Sequence, residues 1–249
     1  MNLGQLKREA RLCILTPRKS GVLSITLLYL ILIVLLLELV FRLSDIGRFQ
    51  TELAENLLPV AEDLFRPGVL QAILPEMSFT IPGTFFFIVP WVFRWVLDLG
   101  YLYYARSVVK NEPQSPRSLF EGFTYFRKAV TIRLIQTVLT IGGLILFIFP
   151  GIWVFTAFSQ ANLILLDHPG KGALWCLKES NRLMRGRKVE FFALFISFLG
   201  WWLLTTIPFI TYLALFWYLP YTTFTYVNYY NKLTGKPSQD GGWKKPGMF

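Results

Sequence analysis

Histidine is all but missing from this 249-residue chain: His168 is the single one, and Cys13 and Cys176 are the only cysteines. One imidazole and two distant thiols exclude a Cys- and His-rich metal site, since a closed zinc site takes four such ligands. They also exclude the disulfide framework that staples small secreted domains. The chain has no Cys-x-x-Cys, no cluster of carboxylates and no Gly-rich loop ahead of a helix. No metal, cofactor or enzymatic role is therefore expected. Charge is scarce as well, at 16% of residues, against about 25% in an average soluble protein.

Apolar residues fill the gap. They make up 54% of the chain, and aromatics alone 17%. They are gathered into runs near the ~20 residues that cross a bilayer, which predicts an all-α, polytopic integral membrane protein. Six spans can be drawn, at about 22–41, 79–105, 129–148, 152–166, 190–207 and 212–230. The first follows a basic amino terminus as a signal peptide would, but it is too long for an h-region and no small-x-small cleavage site follows.

The cations divide unevenly between the connecting segments. Of the 25 basic residues, all but Arg42, Arg48, Arg66 and Arg94 fall in 1–21, 106–133, 167–189 or the tail after 230. Under the positive-inside rule these segments and both termini face the cytoplasm, and six spans satisfy every one of them. The net charge of +10 would indicate nucleic acid if it formed a water-facing patch. Here it sits at the ends of apolar runs, so no nucleic-acid partner is expected.

The predicted architecture is three hairpins, each introduced by a cytoplasmic amphipathic segment. Before the first, Leu3, Leu6, Ala10 and Cys13 recur at helical spacing; before the third span, Leu119, Phe123, Phe126 and Val130 do so after a capping-box match at Ser118-Leu119-Phe120-Glu121. Before the fifth, Ala173, Leu177, Ser180 and Met184 form such a face, and Gly186 suits the left-handed position that ends a helix. Each helix is expected on the inner leaflet, apolar face down, turning into a span at an Arg-Lys corner. The corners are Arg18-Lys19, Arg127-Lys128 and Arg185-Gly186-Arg187-Lys188. They are the expected contacts for anionic lipids of the cytoplasmic leaflet, for a protein partner or for a second copy of the chain. Residues 1–235 read as one transmembrane domain with an outer amphipathic segment at 44–76, and 236–249 as a flexible cytoplasmic tail.

One polar pair lies inside a span. Arg94 and Asp98, four apart on the second, would sit near mid-membrane, where a lone charge costs about 2.5 to 3.5 kcal/mol, so both should be paired and face inward. Two readings follow: a self-neutralised pair that fixes helix rotation, or the polar pathway of a small transporter or exporter subunit. Trp201, Trp202, Trp217, Tyr218, Tyr221, Tyr226, Tyr229 and Tyr230 read as interfacial belts rather than a ligand cage.

The second half resembles a known family. "SLFEGF" (118–123), "FPGI" (149–152), "LKESNRLMRGRK" (177–188), "FFALFISFLGWWLL" (191–204) and "LPYTTFTYVNYY" (219–230) occur in the order seen in the bacterial integral membrane proteins of domain-of-unknown-function family 975. The resemblance implies a multi-pass protein of the bacterial inner membrane. The family supplies no activity, ligand or catalytic residue to carry over. The expected function is non-enzymatic organisation of lipids or partner proteins at the cytoplasmic leaflet.

Overall fold

A computed structural model describes residues 3–15, 21–43, 51–52, 55, 81–112, 115–207 and 210–236. Every regular element among them is helical. Most of the outer segment 44–76, the Arg18-Lys19 corner and the tail beyond Lys236 lie outside the described residues.

In chain order the helices are α1 (Leu3–Leu15), α2 (Gly21–Leu43), α3 (Ile81–Val109), α4 (Phe126–Leu146), α5 (Ile148–Phe158), α6 (Ala161–Asp167), α7 (Ala173–Leu183), α8 (Lys188–Ile196), α9 (Leu199–Leu204) and α10 (Thr211–Leu233), with a 3-10 helix at Pro116–Tyr125. Four segments are long and apolar enough to cross a membrane: Gly21–Leu43, Gly83–Val109, Pro116–Leu146 and Ile148–Asp167. At 1.5 Å per residue the 23 residues of α2 extend about 35 Å, more than the ~30 Å of a bilayer's hydrocarbon core. The fourth segment is divided by a turn at Ser159-Gln160. The expected fifth span is broken into α8 and α9, and α10, 23 residues long, mixes Tyr, Thr and Asn into its apolar residues.

The chain forms two compact units: residues 1–30 with 95–249, and residues 31–94. Within the larger unit α4 packs along α5, α7 touches α4, α5 and α6, and α1 packs against α10. The turn between α4 and α5 falls at Phe147, in extended backbone, rather than around Phe149-Pro150-Gly151. Pro150 instead sits in the first turn of α5, where its missing N–H has no intrahelical acceptor to lose. Gly143 and Gly151 bring the two backbones together, since a Cβ on Gly143 would lie 2.9 Å from Gly151 Cα. The tip of this hairpin is apolar and open: Phe147 is 76% and Phe149 84% exposed. Water does not favour such a surface, and lipid does.

The amphipathic segments depart from expectation in one respect: protein covers their apolar faces. In α1, Leu6, Ala10, Cys13 and Ile14 are buried, and in α7, Cys176, Leu177 and Ser180, with Met184 just beyond. Gly186 takes the expected left-handed backbone, at φ +72°. The segment before α4 is capped by Ser115, whose hydroxyl accepts the Arg117 N–H, and not by Ser118, which is buried. Pro116 starts the helix, and winding at three residues per turn buries Leu119 and Gly122. That leaves Phe126 exposed, although the 3.6-residue pattern placed it on the same face as Leu119.

Candidate functional site

Three polar sites stand out in an otherwise apolar molecule. The first is the seam between α2 and α3. Thr26 donates its hydroxyl proton to Val22 O at 2.8 Å, so the 2.8 Å contact between Thr26 and Tyr101 has the Tyr101 hydroxyl as donor. One turn on, the Tyr29 hydroxyl donates to the Asp98 carboxylate, and the Tyr29 and Tyr101 rings stack at 4.7 Å. Thr26, Tyr29 and Tyr101 are buried. Interhelical hydrogen bonds of this kind hold apolar helices together where the hydrophobic effect cannot.

One oxygen of Asp98 thus accepts a hydrogen bond from another helix. Arg94 lies in the smaller unit, its guanidinium 5.3 Å from the centre of the Trp91 ring. The smaller unit also holds an open groove lined by Glu38, Phe41, Arg42, Thr51 and Glu52, where Arg42 Nε donates to Glu38 at 2.6 Å. Both partners of that pair are well exposed, at 77% and 55%, and such pairs contribute little.

The second site is a buried carboxylate at the end of α6. The Asp167 side chain is 3% exposed and receives three donors: Arg106 from α3 on one oxygen, and Tyr230 from α10 together with Lys236 on the other. This carboxylate locks three helices and the start of the tail to one another. Sequence reasoning missed it. Its only trace was an acidic residue directly after an apolar run. His168 beside it ends α6 with its backbone N–H on Ile164 O, and its ring meets Trp175 edge-on at 5.4 Å.

The third is the set of basic corners. Arg127, Arg185 and Arg187 are exposed. Their neighbours are drawn inward: Lys128 donates to Pro169 O, and Lys188 Nζ stands 4.3 Å from the centre of the Trp153 ring. On the exposed side of α7, Arg182 grips Glu179 through two nitrogens, at 2.5 and 2.9 Å, and holds that carboxyl below its usual range.

Residues 127–237 match DUF975, a family of proteins of unknown function. No curated protein and no solved structure matches the chain. The DUF975 region starts within the second corner and includes Asp167, Tyr230 and Lys236, whereas Arg106 and the "SLFEGF" motif lie ahead of it.

Several residues of the DUF975 resemblance acquire a physical role. Ser180 is fully buried; its hydroxyl donates to Ala157 O at 2.8 Å and accepts the Gln160 N–H at 3.2 Å. It thereby satisfies both sides of the break between α5 and α6, where the regular helix bonds are lost. Met184, 0% exposed, anchors the end of α7, and Gly186 supplies the positive φ that frees the chain to enter α8. The "LKESNRLMRGRK" stretch of the DUF975 region is thus a helix that splints a broken neighbour and then turns.

Proposed function

We propose that this is a non-enzymatic, multi-pass bacterial inner-membrane protein that organises anionic lipids or partner proteins at the cytoplasmic leaflet. The observation that supports it is the exposure of Arg127, Arg185 and Arg187 at the starts of apolar helices, beside lysines that the fold itself engages. Each cation near an anionic leaflet contributes roughly 1 kcal/mol, enough in combination to enrich acidic lipid. In this reading six spans form three hairpins, both termini face the cytoplasm, and Arg18 and Lys19 act as their counterparts do.

The test is the triple variant Arg127→Gln, Arg185→Gln, Arg187→Gln, purified in mild detergent with its bound lipid quantified by mass spectrometry. Phosphatidylglycerol and cardiolipin should fall severalfold relative to phosphatidylethanolamine. An unchanged acidic fraction would sink the reading.

A second reading, a small transporter or exporter subunit, has one observation in its favour: Asp98 keeps a half-buried carboxylate on one candidate span, bonded to Tyr29 on another. An Asp98→Asn protein that inserts normally but loses its cellular phenotype would favour it.

A further inference from the structure

The aromatic residues where α8, α9 and α10 meet hold two cations of the same chain. Phe198, in the break between α8 and α9, is 1% exposed and meets Tyr221 edge-on at 5.2 Å and Tyr218 at 6.4 Å, while Trp201 meets Tyr221 at 6.3 Å. Into this cluster α1 delivers Lys7, whose Nζ stands 4.4 Å from the centre of the Phe198 ring and donates to Ser197 O at 3.0 Å. One turn along α1, the Arg11 guanidinium lies 5.3 Å from the Tyr221 ring. Burial, and then the charge of Arg11, holds the Lys7 ammonium below the ordinary lysine range.

An ammonium ion against a π face is the chemistry by which aromatic cages recognise organic cations. Here a backbone carbonyl at the end of α8 adds an acceptor, at the helix pole that attracts positive charge. A surface lysine used only for solubility needs neither. The two cations stand over separate rings of one cluster.

We propose that the Phe198 ring and Ser197 O, backed by Tyr218, Tyr221 and Trp201, form a receptor for a primary ammonium group, and that α1 is its built-in ligand, filling it with Lys7 until an external ammonium displaces it. The external group has two sources with the same chemistry, a free amine or the ethanolamine headgroup of a lipid. The site is independent of the lipid-organising corners, which it does not share.

The experiment uses the full chain purified in detergent. Lys7→Met keeps the apolar stem, so α1 still packs through Leu6, Ala10, Cys13 and Ile14. It is titrated calorimetrically with ethanolamine and, separately, with lysophosphatidylethanolamine, with lysophosphatidylglycerol and sodium chloride as blanks. Lys7→Met should bind about tenfold more tightly than the unchanged protein, and Phe198→Leu on the Lys7→Met background should cancel the gain. A gain with ethanolamine identifies a free amine; a gain with the ethanolamine lipid alone identifies a headgroup. No gain with either, or a gain that survives Phe198→Leu, overturns the proposal and leaves Lys7 a structural pin for α1. If Lys7→Met does not fold, Lys7→Gln, which also removes the ammonium from the Phe198 ring, must show a gain of the same sign, or the proposal fails.

Discussion

At the scale of the residue, Asp167 contributes most to the polar architecture. A buried carboxylate that accepts from Arg106, Tyr230 and Lys236 is stable only as a set, because removing the acid leaves the largely buried Arg106 guanidinium without its counter-charge, while the more exposed Lys236 can turn to solvent. Asp167→Asn keeps the shape and removes the charge. It should destabilise the protein by about 3 kcal/mol or more, read as a lower midpoint when helicity is followed on heating in detergent. A midpoint equal to that of the unchanged protein would show that the cluster is held from elsewhere. The partners stand 61 to 69 positions from Asp167 in sequence, which is why no local pattern revealed them. Asp98 illustrates the same limit. Its four-residue spacing from Arg94 was plain in the sequence, but the hydroxyl that serves it belongs to Tyr29, which reads as one more member of an apolar run.

At the scale of the element, contact between backbones decides what periodicity cannot. The 3-10 helix before α4 lies so close to α3 that a Cβ on Gly122 would come within 2.2 Å of Val96 O, and one on Gly100 within 1.8 Å of Leu119 O. Gly122→Ala should cost about 1 to 3 kcal/mol through forced displacement of one backbone. Gly142, in α4, has open space where its Cβ would be; Gly142→Ala should be neutral or stabilise by up to about 1 kcal/mol. The pair, run side by side in the same thermal assay, separates close packing from mere glycine content, and equal effects would contradict the packing argument. The amphipathic segments teach a related lesson. Their apolar stripes were legible as stripes, but a stripe does not say whether lipid or protein covers it, and in α1 and α7 it is protein.

At the scale of the molecule, the distribution of cations and the four apolar segments bear on how the chain lies in a membrane. With six spans and cations inside, a reporter fused to the carboxyl end should be active only in its cytoplasmic form, and one within 44–76 only in its external form. An external carboxyl terminus would require an odd number of crossings, and the broken α8–α9 stretch is the element whose failure to cross would produce it.

The all-helical class, the apolar segments that can cross a bilayer, the left-handed Gly186 and the DUF975 motifs were determined by the sequence alone, because composition, 3.6-residue spacing and glycine's backbone freedom are local properties. Partner choice was decided only in the tertiary structure: Tyr29 for Asp98, three donors for Asp167, Ser180 for a broken helix, and the aromatic rings of α9 and α10 for the cations of α1. A polar group buried among apolar helices must find its complement wherever the fold brings one within reach, and that distance is not written in the spacing along the chain.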